Sequence, residues 1–331
     1  MGTNKLLGRR LEVDEEIFIE YTSICQEKMT LNLQYKSTLF TAEDSLVRRF
    51  TNTMDGSQLV IKEMPGVEET YVLEEISYFQ RMNGITGVLP LLGYWKENYT
   101  YAFIMPYVEN TRPSTEHEIQ NYMRQALEVL ESIHSIGIMH RNLKRKNTLY
   151  CKETATFYII DFGDAISYTP NEWYEEVGNV LYLAPEQYYG RNYNPLVDVF
   201  SLGIIFAELL FHVKHIIRPY NCGQFMRDLY SWQNEVPKLY NGGYYGGTSY
   251  MLTTSSNFWI KWLEDNPEER TRKGQLSPLD VSLYTEEAAD LLDNLATIDP
   301  NKRYYPRQGR GHHYLRSRNK ADFSTICGST T

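Results

Sequence analysis

The stretch His140-Arg141-Asn142-Leu143-Lys144-Arg145-Lys146-Asn147 decides the fold of this chain. It joins a His-Arg pair to a central amide, followed by Lys144 and, at its end, Asn147. An amide has no basic site near neutral pH, so Asn142 can orient a hydroxyl group but cannot remove its proton. The segment therefore carries several polar groups around a centre that cannot act as a general base.

Length and composition indicate a soluble globular protein. The 331 residues suit one large domain or two modest ones. Apolar residues make up 42% of the chain and charged residues 23%, which is ordinary for globular proteins. The formal net charge of −9 argues against general nucleic-acid binding, because affinity for a polyphosphate needs clustered Lys and Arg. Protein partners, including basic segments, stay open, and no nucleic-acid partner is expected.

Cysteine usage and the lack of long apolar runs indicate the compartment. The four cysteines, Cys25, Cys151, Cys222 and Cys327, are scattered and form no CxxC pair. Free thiols in a reducing compartment are favoured over disulfides or a metal site. No run approaches the roughly 18 apolar residues of a membrane span, and the N-terminus has no apolar signal-peptide core. We therefore expect a cytoplasmic or nuclear protein with no membrane span.

Changes in residue pattern divide the chain into parts. The predicted parts are an N-terminal extension at 1–30, a strand-rich lobe at 31–108, a helical lobe at 109–315 with a Tyr/Gly-rich insertion at about 240–256, and a C-terminal tail at 316–331. The insertion is the first candidate for a contact surface with a partner.

Hydrophobic periodicity predicts the elements within these parts. Strands are predicted at 45–47, 58–61, 89–92 and 101–105. Helices are predicted at 68–82, 116–136, 197–211 and 288–295. The helix at 197–211 is nearly all apolar, as a buried central helix would be.

Six further motifs stand at fixed intervals from the opening stretch. They are Lys62 at the end of an apolar strand, Glu75 on the first helix, Asp161-Phe162-Gly163, Ala184-Pro185-Glu186, Asp198 on the apolar helix, and Arg303 after Asp299-Pro300. One such motif arises by chance in many proteins, whereas seven in this order and spacing do not. Over about 31–315 the chain resembles the eukaryotic protein kinase superfamily, in its Ser/Thr-kinase-like form.

The resemblance implies a fold and a cofactor. It implies an α+β, bilobal protein-kinase-like fold, with an antiparallel-sheet N-lobe that carries one regulatory helix and a mainly helical C-lobe. In that family Lys62 would contact the phosphates of ATP, Glu75 would pair with Lys62, and Asp161 and Asn147 would hold Mg²⁺. Lys144 matches the lysine that contacts the transferred phosphate.

The adenine site implied by the resemblance is altered. It would be lined by Val47, Val60, Met105, Val108 and Leu149. Val60 replaces a small alanine and narrows the slot without closing it. Pro106 lacks an N–H group, but its position normally offers only a carbonyl, and Val108 keeps the N–H that adenine needs.

The phosphate-binding hairpin departs most from the family pattern. Phe40, Ala42 and Ser45 stand where the family has glycines, which let the backbone approach phosphate closely. The tip carries Glu43 and Asp44. Either these carboxylates repel a triphosphate, or the hairpin is redirected and the acids are simply solvated. Both interpretations remove the phosphate cradle, so ATP and Mg²⁺ are expected to bind weakly.

A second departure lies at the site of phosphate transfer. The resemblance assigns the general base to position 142, where an aspartate is replaced by Asn142. Active Ser/Thr kinases have a threonine at the position of Asn179, where it bonds the catalytic aspartate and lysine. Both ends of this contact are asparagine here.

These departures favour a pseudokinase, catalytically dead or severely impaired. Such a protein would act as a scaffold or allosteric regulator of a protein partner, either an active kinase or a substrate protein. The alternative is an active, atypical Ser/Thr protein kinase that positions ATP by other means. A third interpretation, a decoy that competes with an active relative for substrate, overlaps the first.

Three other features carry open interpretations. Arg141 could meet Glu172, Glu175 and Glu176 as permanent anions, or these acids could be solvated. A hydrophobic column between the lobes is expected from Phe79, Leu91, His140 and Phe162. The pair at 312–313 is interpreted as packing and not as a metal site.

Overall fold

The computed structural model describes residues 6–189, 192–240, 258–272 and 275–316. The strands are β1 Glu16–Ser23, β2 Lys28–Thr41, β3 Leu46–Asn52, β4 Gln58–Pro65, β5 Gly93–Glu97, β6 Thr100–Pro106, β7 Ile138–Met139, β8 Thr148–Cys151, β9 Thr156–Ile159, β10 Ile166–Ser167, β11 Thr271–Arg272 and β12 Gln275–Leu276. The helices are α1 Glu69–Arg81, α2 Glu116–Ser135, α3 Pro185–Tyr189, α4 Leu196–Leu210, α5 Cys222–Tyr240, α6 Phe258–Asp265, α7 Glu286–Leu295 and α8 Pro306–Arg310. Short 3₁₀ turns lie at Arg145–Asn147, Pro267–Arg270 and His313–Leu315.

The bilobal α+β fold is confirmed. An antiparallel N-lobe sheet carries one helix, α1, and the C-lobe is mainly helical. The four predicted helices are present as α1, α2, α4 and α7. The predicted insertion and tail lie outside the described residues, apart from Tyr240 and Arg316 at their edges. No described helix is both long enough and apolar enough to cross a membrane.

The N-lobe sheet closes into a barrel of six strands in the order β1-β2-β3-β4-β6-β5. Every neighbouring pair is antiparallel, and β1 closes the barrel by pairing Thr22 with Tyr94 and Ser23 with Gly93 on β5. Alternate side chains of β1 point inward, as the period of two in a strand requires. The interior is filled by Leu33, Phe50, Ile61, Ala102 and Ile104, all fully buried.

The start of the sheet differs from the sequence-based boundary. Residue 30 lies within β2, and β1 precedes it entirely, so the first two strands include residues that we assigned to an extension. The period-two pattern of Ile17, Ile19 and Tyr21 is the signal for β1. Leu6 and Leu11 pack into the same core.

The segment predicted as a strand at 89–92 is not one. The structure places the strand later, at β5, and gives only an isolated bridge between Val88 and Ile159. Leu89 and Leu91 are buried in the core that joins the sheet to the C-lobe. A short apolar run signals burial equally well in a strand or in a buried loop, which explains the error.

The C-lobe is built around α4. All side chains of this helix are buried, as its apolar sequence predicts. Gly203 lets α7 approach closely, because a Cβ at that position would lie 3.1 Å from Ala296. The α2 helix begins with a capping box, in which Thr115 and Glu118 satisfy each other's backbone N–H groups.

Asp293 on α7 makes the stability of the C-lobe dependent on pH. Its Oδ1 accepts a hydrogen bond from Trp259 Nε1 at 2.9 Å. Burial raises the pKa of Asp293 to about 7; the Trp259 bond opposes this and the charge of Asp290 adds to it. A carboxyl group whose pKa rises on folding stabilises the fold fully below its ordinary pKa of 3.8. This contribution is lost as the pH rises through about 7.

We expect this group to lower the free energy of unfolding by roughly 1–3 kcal/mol between pH 5 and pH 8. The variant Asp293→Asn keeps an acceptor for Trp259 and cannot ionise, so it should lose this part of the pH dependence. Urea denaturation of both proteins at the two pH values measures the effect. An equal pH dependence in the variant would contradict the assignment.

Candidate active site

Three elements bring Lys62, Glu75 and Asp161 together between the lobes. Lys62 lies on β4, Glu75 on α1, and Asp161 just beyond β9. Lys62 Nζ lies 2.6 Å from Asp161 Oδ1 and 4.0 Å from Glu75 Oε1. Glu75 Oε1 also accepts the backbone N–H of Phe162 at 3.1 Å, which ties α1 to the segment that carries Asp161.

The charges of Lys62, Asp161 and Glu75 shift one another's pKa values. Burial alone would lower the pKa of Lys62, but the carboxylates of Glu75 and Asp161 outweigh it and raise that pKa. Burial opposes ionisation of Asp161, yet the Lys62 ammonium holds the pKa of Asp161 below its usual value. The pKa of Glu75 is raised, because burial outweighs the attraction of Lys62. Lys62 therefore stays a cation, as a phosphate contact requires.

The backbone at Asp161 is held in an unusual conformation. Its φ of 68° is in the left-handed region, which costs a non-glycine residue about 1–3 kcal/mol. In this conformation the carboxylate reaches Lys62. The Phe162 ring turns the other way, to lie 5.4 Å from Phe79 and 4.9 Å from His140 between ring centroids.

The hydrophobic column predicted between the lobes is assembled. Phe79, Leu91, His140 and Phe162 are all buried, and the Phe162 ring contacts the rings of both Phe79 and His140. Since Phe79 lies on α1 and His140 on the opening stretch, the column joins the N-lobe helix to the C-lobe. This is the arrangement in which Lys62, Glu75 and Asp161 can act on one ligand.

Asp198 fixes the backbone of the opening stretch. Its Oδ2 accepts the N–H of His140 at 2.9 Å and its Oδ1 accepts the N–H of Arg141 at 2.8 Å. His134 Nε2 lies 2.9 Å from Oδ2. Burial would raise the pKa of Asp198, but these partners, His134 first, hold the pKa below its usual value. Asp198 is therefore a buried carboxylate with three partners.

Asn142 is bound to an acid that the sequence analysis overlooked. Its Nδ2 donates to Asp164 Oδ2 at 2.6 Å. Its Oδ1 is buried and has no hydrogen-bond partner among the described residues. Asn147 Nδ2 donates to the carbonyl of Asn142 at 3.0 Å, which holds the loop closed. Position 142 thus presents an amide that donates to a carboxylate.

Asn179 makes a local contact only. Its Oδ1 accepts the N–H of Leu181 at 3.0 Å, and within the described part of the chain no hydrogen bond joins it to Asn142 or Lys144. The turn still packs tightly on the opening stretch. Gly178 has a φ of 104°, and a Cβ there would lie 2.4 Å from the carbonyl oxygen of Arg141, so only glycine fits.

Of the residues proposed to line an adenine site, Val47, Val60 and Met105 lie on the neighbouring strands β3, β4 and β6, whereas Leu149 lies on β8 and Val108 follows β6. Val47 on β3 is opposite Lys62, and Val60 on β4 is opposite Met105 on β6. Val47, Val60, Val108 and Leu149 are half-buried, and Met105 is buried. Because cross-strand partners and residues two apart share one face of a sheet, Val47, Val60 and Met105 lie on the same face of the N-lobe sheet as Lys62.

The hairpin between β2 and β3 exposes its acids to solvent. Ala42 donates its N–H to the Ser45 carbonyl at 2.8 Å, so Glu43 and Asp44 occupy a tight turn. Both acids and Phe40 are exposed, and Phe40 pairs with Val47 across the hairpin. This placement agrees with solvated acids, the second interpretation given above.

The Glu186–Arg303 pair closes the C-terminal end of the site. The Arg303 guanidinium is fully buried and donates to Glu186 Oε1 at 2.5 Å and Oε2 at 2.9 Å. It also donates to the Leu196 carbonyl at 2.9 Å and lies over the Phe200 ring. A bidentate contact of this kind anchors α3 to the lobe core.

Comparison with known proteins agrees with this geometry. The family model described as "Protein kinase domain" matches residues 41–315, most of the chain. The chain belongs to the protein kinase domain family. A Plasmodium falciparum (isolate K1 / Thailand) protein named "Probable serine/threonine-protein kinase 2" is 30% identical to it over 172 residues. The match covers 48% of this chain and 34% of that relative, so the chain aligns with about a third of the relative's length.

Strand β1 and the N-terminal segment that carries Leu6 and Arg9 both precede the family match. Strand β1 precedes residue 41, so the strand that closes the N-lobe barrel lies outside the matched region. Arg48 on β3 forms a buried ion pair with Glu63 on β4 and donates to the carbonyls of Leu6 at 3.0 Å and Arg9 at 2.9 Å. The N-terminal segment is therefore bound to the barrel.

Arg141 has different partners from those expected. Its Nε donates to the Asp164 carbonyl at 2.7 Å, and its NH1 lies 3.4 Å from the Tyr193 hydroxyl. No described ion pair joins it to Glu172, Glu175 or Glu176. The interpretation of these acids as permanent anions for Arg141 is therefore not supported by the geometry.

His312 packs as the sequence analysis favoured. Its Nε2 lies 2.9 Å from Asp290 Oδ2, and its Nδ1 accepts the Tyr314 N–H at 3.3 Å. With His313, these side chains place three ligand-type atoms within 4.8 Å of one another. The structure thus buries His312 against Asp290 and Tyr314.

Proposed function

We propose that this kinase domain is a pseudokinase. It keeps the residues that anchor nucleotide and brace the lobes, transfers phosphate with severe impairment or not at all, and acts as a scaffold or allosteric regulator of a protein partner. The observation that carries the proposal is the side chain of Asn142, whose amide donates to Asp164 at 2.6 Å. An amide in this position cannot take the proton of a substrate hydroxyl.

Residues for a nucleotide and its metal are nevertheless present. Lys62 would contact phosphate, and Asp161 and Asn147 would offer the carboxylate and amide oxygens that Mg²⁺ prefers. Bound Mg²⁺ would neutralise charge on the phosphates. The exposed acids at the hairpin tip and the missing glycines leave no phosphate cradle, so this chain would hold ATP through Lys62 and the adenine-site side chains, and weakly.

A protein partner is supported by the surface between Asp161 and Glu186. Trp173 in this segment is 72% exposed, and aromatic side chains of this kind are enriched at protein interfaces. The net charge of −9 favours a partner with basic segments. We propose an active kinase or a kinase substrate as the partner, in the cytoplasm or nucleus. The Tyr/Gly-rich segment predicted as a contact surface lies outside the described residues.

The alternative is an active, atypical Ser/Thr kinase, and one observation favours it. The cluster of Lys62, Glu75 and Asp161 and the column through Phe162 are assembled, which phosphoryl transfer requires. The relative reported above also bears the name "Probable serine/threonine-protein kinase 2". Transfer from ATP by the native chain that disappears in Lys62→Ala would favour this alternative over the pseudokinase.

Nucleotide binding is tested by thermal unfolding with ATP, with and without Mg²⁺. ATP at five times its Kd should stabilise the native chain by about 1 kcal/mol, and the unfolding temperature should rise by about 2–3 °C. Lys62→Ala should abolish the rise, because it removes the phosphate contact. Lys28→Ala, at an exposed position on β2, is the matched control and should keep it. If the unfolding temperature of the native chain does not rise under any of these conditions, the protein does not bind nucleotide and acts only through protein interactions.

A further inference from the structure

The contact between Asn142 and Asp164 joins two segments that both belong to the candidate active site. Asp164 follows Asp161-Phe162-Gly163 directly, and Asn142 lies in the stretch that Asp198 fixes. The amide of Asn142 donates to Asp164 Oδ2 at 2.6 Å. Arg141 Nε donates to the carbonyl of Asp164 at 2.7 Å, so both the side chain and the backbone of Asp164 are held.

This contact requires a hydrogen-bond donor at one end and an acceptor at the other, here the Asn142 amide and the Asp164 carboxylate. A carboxylate at position 142 would place two acceptors face to face, with no hydrogen between them. Such a pair must share a proton, or its members must move apart. The residue that the kinase family uses as a base is therefore incompatible with Asp164 in this geometry.

We infer that Asp164 is a positioning residue matched to Asn142. Its carboxylate accepts the amide hydrogen and holds the Asp161-Phe162-Gly163 segment against the opening stretch at 140–147, called the catalytic loop from here on. The missing base and the added acid form one coupled unit, so Asn142→Asp alone disturbs the site instead of restoring a kinase. A test of this inference by phosphoryl-transfer activity rests on the proposed function, whereas a test by protein stability does not.

Asp164 has charged neighbours on several elements, and these bear on any pH dependence. The charged groups that interact with it are Lys62 on β4, Glu75 on α1 and Arg141, whose guanidinium donates to the Asp164 carbonyl. The charge of Asp164 raises the pKa values of both Lys62 and Glu75, to a smaller degree than burial and their mutual pairing do. A new carboxylate at position 142 would therefore be added to an already occupied charge network.

The test is a four-protein cycle on the full chain: native, Asn142→Asp, Asp164→Asn, and the double swap Asn142→Asp/Asp164→Asn. At pH 7.5 we expect Asn142→Asp to lower the unfolding temperature by about 3–6 °C. Most of this loss should be regained at pH 5.5, where the pair takes up a proton. Asp164→Asn should cost less and show no such pH dependence, because one amide can donate to the other.

The double swap decides the matter. It rebuilds the contact in reverse, so its unfolding temperature should lie within about 2 °C of the native value at both pH values. Asn98→Asp, which adds the same charge at an exposed turn, is the control and should change nothing. If the shifts of the single variants simply add in the double swap, or if Asn142→Asp is equally destabilised at pH 5.5, the inference is overturned.

The rate of phosphoryl transfer tests the inference by a measurement other than the unfolding temperature. The double swap should transfer phosphate from ATP at least about 10-fold faster than Asn142→Asp, because only the swap places a carboxylate at position 142 without a facing carboxylate. Transfer by Asn142→Asp that equals or exceeds that of the swap would overturn the inference. Efficient transfer by the native chain would contradict the proposed function and leave the stability cycle to decide the coupling.

Discussion

Replacing Arg48 with methionine is expected to lower the free energy of unfolding by about 3–5 kcal/mol, because the Glu63 carboxylate is then buried without its partner. Both side chains are almost fully buried in the N-lobe, and Arg48 NH2 contacts Glu63 Oε1. Burial raises the pKa of Glu63 and the Arg48 charge opposes that rise. Arg48 also donates to the carbonyls of Leu6 and Arg9, so the N-terminal segment should detach.

Urea denaturation of the native chain and Arg48→Met measures this loss. The double variant Arg48→Met/Glu63→Met is the matched control, since it replaces both ions with apolar groups. It should recover most of the stability, because burying apolar groups carries no charge desolvation cost. A double variant no more stable than Arg48→Met would show that the loss comes from packing and not from the unpaired carboxylate.

Asp198→Ala is expected to lower the free energy of unfolding by a similar amount, about 3–5 kcal/mol, for a different reason. The change leaves the buried N–H groups of His140 and Arg141 without an acceptor, at about 1–3 kcal/mol each, and it removes the partner of His134. The catalytic loop should lose its fixed backbone. Amide hydrogen exchange at 140–142 should rise sharply, while exchange in β4 and β6 changes little.

The pH dependence of this loss in stability shows whether the ionised Asp198 carboxylate causes it. Because the pKa of Asp198 is lowered on folding, its stabilisation is present above the ordinary value of 3.8 and is lost as the pH falls through the lower folded pKa. The gap between native and Asp198→Ala should therefore narrow on acidification below pH 4. Asp198→Asn keeps one acceptor and should lie between the two. A gap that stays constant with pH would contradict this account.

The residues of the site that could be predicted from the sequence lie on elements with a clear local sequence pattern. Lys62, Glu75 and Asp161 lie on elements that periodicity and flanking residues indicate. The structure brings a carboxylate oxygen of Glu75 and of Asp161 within 4.0 Å of Lys62 Nζ. The helices that carry the C-lobe were equally clear, because α4 is apolar throughout and α2 has an apolar face at helical spacing. Local chemistry and the tertiary site agree at these positions.

The parts that were missed depend on tertiary geometry. Strand β1 has a period-two pattern, but only the closed barrel shows that it pairs with β5. The acidic residue after Gly163 is visible in the sequence, yet its contact with Asn142 joins segments 22 residues apart, and the sequence does not show the left-handed backbone at Asp161 either. Neither a pairing partner nor a φ angle can be inferred from the spacing of residues alone.

The phosphoryl-transfer rate from radiolabelled ATP tests the central claim most directly. It is measured for the native chain and for Asn142→Asp/Asp164→Asn under the same saturating ATP and Mg²⁺, with generic Ser/Thr substrates. A general base contributes roughly 10²–10⁴-fold to such a step, so we expect the native chain to be at least about 10²-fold slower than the double swap. Native transfer that equals or exceeds that of the swap, and that disappears in Lys62→Ala, would contradict the account.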